Sequence, residues 1–133
     1  MTMKSLIVED DFTSRLIIQR LLTRYGECHM AVNGREAVAA FSDAISSNEP
    51  YSLICLDILM PEMNGYQALK EIRAIETENG IMIGDGVKII MTTALGDMNS
   101  KLTALNESCD AYLVKPLDVG KMLETLQHFK LID

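Results

Sequence analysis

The middle of the chain reads Leu53-Ile54-Cys55-Leu56-Asp57, four apolar residues followed at once by a carboxylate. A continuous apolar run of this length is typical of a strand that is buried on both faces of a parallel sheet. A weaker candidate, residues 28–32, is predicted as a strand nearer an edge of the sheet. Three further apolar runs are Leu6-Ile7-Val8, residues 87–91, which are broken only by Lys88, and Tyr112-Leu113-Val114.

Segments with helical spacing of apolar residues separate these runs. The first is predicted over residues 12–25, with Gly26 as its C-terminal stop. Four more helices are predicted to begin at capping residues, which are Asn33, Asn64, Asp97 and Asp118. The strand-helix alternation occurs five times, and right-handed crossovers place helices on both faces of such a sheet. The sequence therefore predicts an α/β fold, a doubly wound parallel sheet of five strands with five helices, as one domain over residues 1–133.

The composition excludes several classes of function. Nineteen acidic and twelve basic residues give a net charge of −7, and no basic stripe is present, so direct binding to nucleic acid is disfavoured. The first apolar segment is short and ends at Glu9, which predicts neither a signal peptide nor a membrane contact. We therefore expect a cytoplasmic protein. The cysteines, Cys28, Cys55 and Cys109, lie far apart without CxxC spacing, and we predict that they are small buried apolar residues.

Polar residues follow four of the apolar runs at the point where each strand ends. They are Glu9-Asp10, Asp57, Thr93 and Lys115. Because the carboxyl ends of parallel strands meet at one edge of a sheet, these side chains are predicted to converge. Three neighbouring carboxylates repel one another unless a cation is present, and oxygen ligands without His or Cys suit Mg²⁺. The pattern thus predicts a magnesium site.

A carboxylate beside Mg²⁺, with a lysine and a threonine nearby, is suited to accept a phosphoryl group as an aspartyl phosphate. Asp57 is the predicted nucleophile because it ends a central strand, and Glu9 and Asp10 are better placed to hold the metal. Lys115 would neutralise charge on the phosphoryl oxygens, while Thr93 and the backbone N–H groups after it could hydrogen-bond them.

At these residues the sequence resembles the receiver domains of bacterial two-component response regulators, a family that includes the single-domain chemotaxis regulator. The matching motifs are Val8-Glu9-Asp10, residues 57–65, Met91-Thr92-Thr93-Ala94 and residues 112–116. The resemblance implies a flavodoxin-like strand order, 2-1-3-4-5. It also implies a phosphorelay protein that receives a phosphoryl group from a histidine kinase or phosphotransfer protein. Such a protein signals to a downstream protein by phosphorylation-dependent contact and is not an enzyme with an external substrate.

The resemblance assigns the metal ligands residue by residue. It implies that Asp57 is the phosphoacceptor. It further implies that Mg²⁺ is bound by Asp10, by Asp57 and by the backbone carbonyl of Leu59, with Glu9 acting partly through water.

The resemblance also assigns the groups that hold the phosphoryl group and transmit the signal. Thr93, the Ala94 amide and Lys115 are implied to bind its oxygens, and Thr93 and Tyr112 to act as the switch. The Lys115-Pro116 bond is implied to be cis.

Three alternatives share parts of this pattern. A Mg²⁺-dependent phosphohydrolase with an Asp nucleophile, of the haloacid dehalogenase type, carries a second acid two residues after the nucleophile, where this chain has Leu59. A flavodoxin-like electron carrier needs a neutral loop after the first strand, whereas residues 9–11 are acidic and repel a flavin phosphate. The chain could also be a piece of a longer regulator, which the length of the native gene would decide.

Three further features lie beside these motifs. Leu59 and Leu95 stand two residues after Asp57 and Thr93 and cannot hydrogen-bond a water, so we expect the phosphoryl group to be lost slowly. Residues 76–86 are predicted as a surface loop at the opposite edge of the sheet, longer than the family usually has. The extra acid, Asp11, is predicted in the first turn of the first helix.

Overall fold

The computed structural model describes residues 3–60, 62–94 and 108–133. Leu95 and the helix predicted to begin at Asp97 lie outside these residues, so four of the five expected helices fall in the described part of the chain. The elements in chain order are β1 (Met3–Val8), α1 (Phe12–Leu22), β2 (Gly26–Ala31), α2 (Gly34–Ser46), β3 (Leu53–Asp57), α3 (Gly65–Glu78), β4 (Lys88–Ala94), β5 (Ala111–Lys115) and α4 (Val119–His128).

The five strands form a single parallel sheet in the order β2-β1-β3-β4-β5. This order confirms the predicted doubly wound architecture, with β2 at an edge. The central strand β3 is buried along its whole length, which explains why its sequence is continuously apolar. Val8 pairs with Leu56, and Asp57 pairs with Thr92. The register therefore brings the carboxyl ends of β1, β3 and β4 to the same edge.

Helices cover both faces of this sheet. On one face, α2 and α3 pack against Leu6, Ile54 and Ile89, and on the other face, α1 and α4 pack against Ile7 and Ile90. Successive residues of each strand therefore enter different cores, as strand geometry requires.

Among the cysteines, Cys55 and Cys109 are buried as predicted, and Cys28 is half-buried. None of the helices in the described ranges has the length and apolar character needed to cross a bilayer.

Side chains at the helix N-termini fix where each helix begins. Asn33, Asn64 and Asp118 cap α2, α3 and α4 as predicted, each accepting a hydrogen bond from a backbone N–H of the first turn. The prediction for Asp11 is wrong by one position. This residue is the N-cap of α1, and its Oδ2 accepts a hydrogen bond of 2.8 Å from the Ser14 amide. It therefore satisfies a free N–H group directly and does not act only through the helix dipole.

Two predicted boundaries are wrong. The helix α1 ends at Leu22, and Gly26 begins β2 instead of stopping the helix. Gly26 has a φ of +155°, and a Cβ there would lie 1.8 Å from the Met3 carbonyl oxygen, so a tertiary contact with β1 requires the glycine. The helix α3 continues to Glu78, and Glu76 is consequently a buried helical residue and not part of a loop.

Candidate functional site

Two strand ends bring the three predicted acidic side chains together. Glu9 and Asp10 follow β1, and Asp57 is the last residue of β3. Carboxylate oxygens of these three residues all lie within 4.8 Å of one another. Glu9 is 1% exposed and Asp57 is 5% exposed, whereas Asp10 faces solvent. The cluster is therefore accessible to solvent at Asp10 and shielded from it at Glu9 and Asp57, so a ligand can reach it from the surface.

Lys115, the last residue of β5, contacts two of these carboxylates. Its Nζ lies 2.7 Å from Glu9 Oε1 and 3.3 Å from Asp57 Oδ2. Burial by itself lowers the pKa of Lys115, but the contacts with Glu9 and Asp57 outweigh burial and raise the pKa above its ordinary value. Lys115 is thus a permanent positive charge held against the acidic cluster.

The environment of Asp57 disfavours its ionised form. Burial raises the pKa of this carboxyl, the contact with Glu9 and its negative charge raise it further, and Lys115 lowers it, with a result of about 7. Desolvation and a like charge act in the same direction here because both penalise a second carboxylate in a dry place. The charge of Lys115 therefore does not fully offset the carboxylates, and a further cation would favour the ionised form of Asp57.

The donor set fits Mg²⁺. Three carboxylates against one ammonium leave an excess of negative charge, and all of the side-chain ligands are hard oxygen atoms. The buried Glu9 Oε1 is paired with the Lys115 ammonium at 2.7 Å, and this single cation faces a cluster of three carboxylates. A divalent cation would supply the positive charge that Lys115 alone does not provide.

The end of β4 places a hydroxyl and a backbone amide beside this cluster. Thr93 is 1% exposed, and its Oγ1 donates a hydrogen bond of 3.2 Å to the Ala94 carbonyl oxygen. The sheet register sets Asp57 opposite Thr92 and sets Ala94 opposite Lys115. Residues 93 and 94 therefore lie on the strand between the two that carry Asp57 and Lys115.

The two remaining predicted site residues are more exposed. Leu59 is 59% exposed, and its backbone amide lies 3.4 Å from Asp57 Oδ1, so the loop after β3 keeps the Leu59 backbone beside the carboxylate. Tyr112 on β5 is 38% exposed and pairs with Met91 in the sheet. The Lys115-Pro116 bond is cis, as the resemblance implied.

Sequence reasoning missed one side chain near the acidic cluster, Arg15. Its Nη1 donates a hydrogen bond of 2.9 Å to the Glu9 carbonyl oxygen, and its guanidinium lies 5.6 Å from the centre of the Phe12 ring. The available signal was its spacing, since Arg15 lies one helical turn after the N-cap Asp11 and so returns to the strand end. A basic residue on an amphipathic helix is more often solvated, and the spacing alone did not single it out.

Comparison with known sequences agrees with this geometry. A profile of the response regulator receiver domain matches residues 5–127. The chain is 34% identical over 125 residues to a chemotaxis protein CheY homolog of Campylobacter jejuni, and the match covers 94% of this chain and 90% of that protein. It is 38% identical over 114 residues to the probable transcriptional regulator ycf27 of Pyropia yezoensis, covering 85% of this chain but only 41% of that protein. The chain thus spans less than half the length of this second relative.

Solved structures of receiver domains are similar to this one. The receiver domain of the histidine kinase CKI1 from Arabidopsis thaliana, complexed with Mg²⁺, superposes with a TM-score of 0.82 at 27% identity over 96% of this chain and 91% of that chain. The receiver domain of the sensor histidine kinase PA1611 from Pseudomonas aeruginosa, with a magnesium ion in its active site cleft, gives 0.76 at 26% identity over 96% and 97%. Because the profile match extends over nearly the whole sequence and agrees with the strand order, the chain belongs to the response regulator receiver domain family of two-component systems.

Proposed function

We propose that this receiver domain accepts a phosphoryl group on Asp57 in a Mg²⁺-dependent reaction with a histidine kinase or a phosphotransfer protein as the donor. The observation that carries the proposal is the position of Asp57. This carboxylate is almost fully buried, has two further carboxylates within 4.8 Å, and has the Lys115 ammonium 3.3 Å away. Membership of the receiver family supports the same function.

Mg²⁺ would be held by Glu9, Asp10 and Asp57, together with the Leu59 carbonyl that the resemblance adds. When bound, the ion supplies positive charge that offsets the carboxylates and the oxygens of the incoming phosphoryl group. The three clustered carboxylates support this assignment, and so do the two solved relatives that contain magnesium.

Asp57 acts as the nucleophile in the transfer. One of its carboxylate oxygens forms a bond to phosphorus while the bond between phosphorus and the donor imidazole nitrogen breaks, and that nitrogen keeps the electron pair. The oxygen must be ionised to attack, and Lys115 favours this form because it lowers the pKa of Asp57. Burial keeps competing water away from the new bond.

Thr93, the Ala94 amide and Lys115 then hold the transferred group. Before transfer, the Thr93 hydroxyl donates to the Ala94 carbonyl oxygen at 3.2 Å. Donation to a phosphoryl oxygen instead requires the hydroxyl to break this contact and turn towards Asp57. Signalling follows from that movement, since the Tyr112 side chain on the neighbouring strand β5 is accessible to a downstream protein.

The reaction takes place on the chain itself, and we propose no external substrate. Leu59 occupies the position at which a phosphohydrolase of the haloacid dehalogenase type has its second acid, and a leucine can neither donate nor accept a proton. Steady release of phosphate from small phosphate esters by the purified protein would support the phosphohydrolase instead.

Mass spectrometry of the intact protein after incubation with acetyl phosphate and Mg²⁺ tests the proposal. The parent should gain one phosphoryl group, and Asp57→Asn should gain none. Asp85→Asn is the matched control, because Asp85 is exposed in the loop between α3 and β4 at the opposite edge of the sheet. Labelling of Asp57→Asn, or labelling that persists in the presence of EDTA, would contradict the proposal.

A further inference from the structure

Arg15 joins the first turn of α1 to the strand end that carries the metal ligands. We propose that Arg15 is a positioning residue that holds Glu9 and Asp10 in the geometry that binds Mg²⁺. The inference rests on the proposed function, since Mg²⁺ is the ligand whose affinity Arg15 would set. Arg15 contacts the backbone of Glu9 and not its carboxylate, so its role is indirect.

The hydrogen bonds around Glu9 tie both its backbone and its side chain to α1. Arg15 Nη1 donates to the Glu9 carbonyl oxygen at 2.9 Å, and the Asp11 amide lies 3.3 Å from Glu9 Oε2. The Arg15 amide donates in turn to the Asp11 carbonyl oxygen at 3.0 Å. Asp10 lies between Glu9 and Asp11, whose hydrogen bonds restrict the backbone on both sides of it. The turn that carries the Asp10 carboxylate is therefore restrained. Residues that orient metal ligands in this way commonly change metal affinity about 10-fold to 100-fold when they are removed.

The guanidinium is itself held in place. It lies 5.6 Å from the centre of the Phe12 ring, within the range of a cation–π contact, and Phe12 is 66% exposed. Because the Phe12 ring is mostly outside the hydrophobic core, the contact with Arg15 accounts for an aromatic residue at this position. The Phe12 ring and the Glu9 carbonyl therefore give the guanidinium two separate contacts.

Charge and position have opposite effects on Mg²⁺ at this residue, which makes the inference testable. A positive charge near the cluster repels a divalent cation, so its removal alone should tighten binding. A positioning contact has the reverse effect, because its loss lets the turn at residues 9–11 move and weakens binding. The direction of the change in affinity on removing Arg15 therefore shows which effect is larger.

Calorimetric titration of the full chain with MgCl₂ measures this directly. Arg15→Met is expected to raise the dissociation constant by about 10-fold. Arg15→Lys, which keeps the charge and a donor, should recover part of the loss. Arg20→Met is the matched control, because Arg20 is an exposed residue in the last turn of the same helix and its removal changes the net charge equally. Its dissociation constant should be unchanged or slightly lower.

The outcomes separate this inference from the proposed function. If the parent binds Mg²⁺ and Arg15→Met binds it equally well or more tightly, Arg15 does not position the ligands and the inference is wrong. If the parent binds no Mg²⁺, the proposed function fails and the inference fails with it. Thermal unfolding in EDTA shows whether Arg15→Met is folded. If it is not, Phe12→Ala is the second variant. It frees the guanidinium without removing it and should weaken binding about 2-fold to 3-fold, and an unchanged dissociation constant would then overturn the inference.

Discussion

At the scale of a single residue, burial and the contact with Glu9 make ionised Asp57 costly for the stability of the metal-free protein. Without a metal ion, the carboxyl has a pKa of about 7 in the folded protein, against an ordinary value of 3.8. The folded state therefore binds its proton more tightly than the unfolded chain does. The stability associated with that proton is fully present below about pH 3.8 and is lost as the pH rises through 7.

Asp57→Asn should consequently stabilise the metal-free protein at pH 8. The amide cannot ionise, so the cost of the buried carboxylate disappears, with an expected gain on the order of 2 kcal/mol in the free energy of unfolding. Urea unfolding in EDTA at pH 5 and pH 8 measures the difference, which should be smaller at the lower pH. The control is again Asp85→Asn. A parent as stable as Asp57→Asn at pH 8 would show that the carboxyl is not strained by its surroundings.

Leu59 bears on the lifetime of the phosphorylated state. Its side chain is 59% exposed, while its amide lies beside Asp57 Oδ1, so an apolar side chain borders the path by which water reaches the site. Leu59→Asn introduces a group that can orient a water, and loss of phosphate from Asp57 should become about 10-fold faster.

The decay of phosphorylated protein after removal of acetyl phosphate measures this rate. Met82→Asn is the control, because Met82 is a 71% exposed apolar residue in the loop between α3 and β4. A parent that decays as fast as Leu59→Asn would contradict the expectation. The companion position, Leu95, lies outside the described residues.

At the scale of the elements, one arginine joins α3 to the beginning of two strands. Arg73 Nη1 lies 2.7 Å from Glu76 Oε1 and 3.0 Å from the Val87 carbonyl oxygen, and Nη2 lies 3.0 Å from Asp110 Oδ2. Its Nε donates to the Ser108 carbonyl oxygen at 2.8 Å. Glu76 is 5% exposed, and its Oε2 accepts from the Val87 amide at 2.7 Å. The long connection after α3 is therefore anchored at both ends by Arg73 and the buried Glu76.

Arg73→Met should destabilise the fold by about 3 kcal/mol, because it leaves the Glu76 carboxylate buried without its cation. The double variant Arg73→Met with Glu76→Met should recover part of that loss, since it removes the unpaired charge as well. Urea unfolding of both variants measures the effect, with Arg35→Met on the exposed face of α2 as the control. If the losses of Arg73→Met and Glu76→Met simply added in the double variant, the two side chains would act independently, and this account would be wrong.

The elements also show which parts of the fold are visible in a sequence. Strands buried on both faces have continuous apolar runs, and residues that end such strands share one edge, so Glu9, Asp57 and Lys115 could be placed together from local patterns. Element boundaries that depend on contacts between residues distant in sequence could not be predicted from local patterns. The start of β2 is fixed by the approach of Met3 to Gly26, and the position of Arg15 against Glu9 depends on how α1 docks.

At the scale of the whole molecule, the two edges of the sheet differ in what they offer. The edge at the carboxyl ends of the strands carries the acidic cluster and Lys115. The opposite edge carries the Arg73 network and the loop in which Ile83 is fully exposed. The first edge has side chains that can change partners, whereas the network at the second is satisfied by contacts between α3, β4 and β5. Movement on phosphorylation is therefore expected at the first edge.

The Thr93 hydroxyl is the group expected to transmit that movement. Changing a two-state equilibrium from mostly inactive to mostly active takes about 5.5 kcal/mol of differential binding. Contacts of Thr93 and Lys115 with a charged phosphoryl group contribute about 1.5–3 kcal/mol each. Neither contact alone supplies enough free energy to shift the equilibrium. Removal of the hydroxyl should therefore still allow phosphorylation, but the phosphorylated protein should not shift fully to its active state. Thr93→Ala should accept a phosphoryl group on Asp57 without the change that the parent shows at β5.

Hydrogen–deuterium exchange over residues 111–115, with and without acetyl phosphate, measures this coupling, and intact mass confirms that each sample is phosphorylated. In the parent, we expect exchange at β5 to change on phosphorylation, because the proposed turn of the Thr93 hydroxyl would alter β4, the strand paired with β5. Tyr112 pairs with Met91, and Val114 pairs with Thr93. Thr92→Ala is the matched control. Thr92 is equally buried, but it neighbours Thr93 on the strand, so its side chain projects from the other face of the sheet. If Thr93→Ala shows the full change at β5, the signal leaves the site through Lys115 or the loop after β3, and the hydroxyl is not the coupling group.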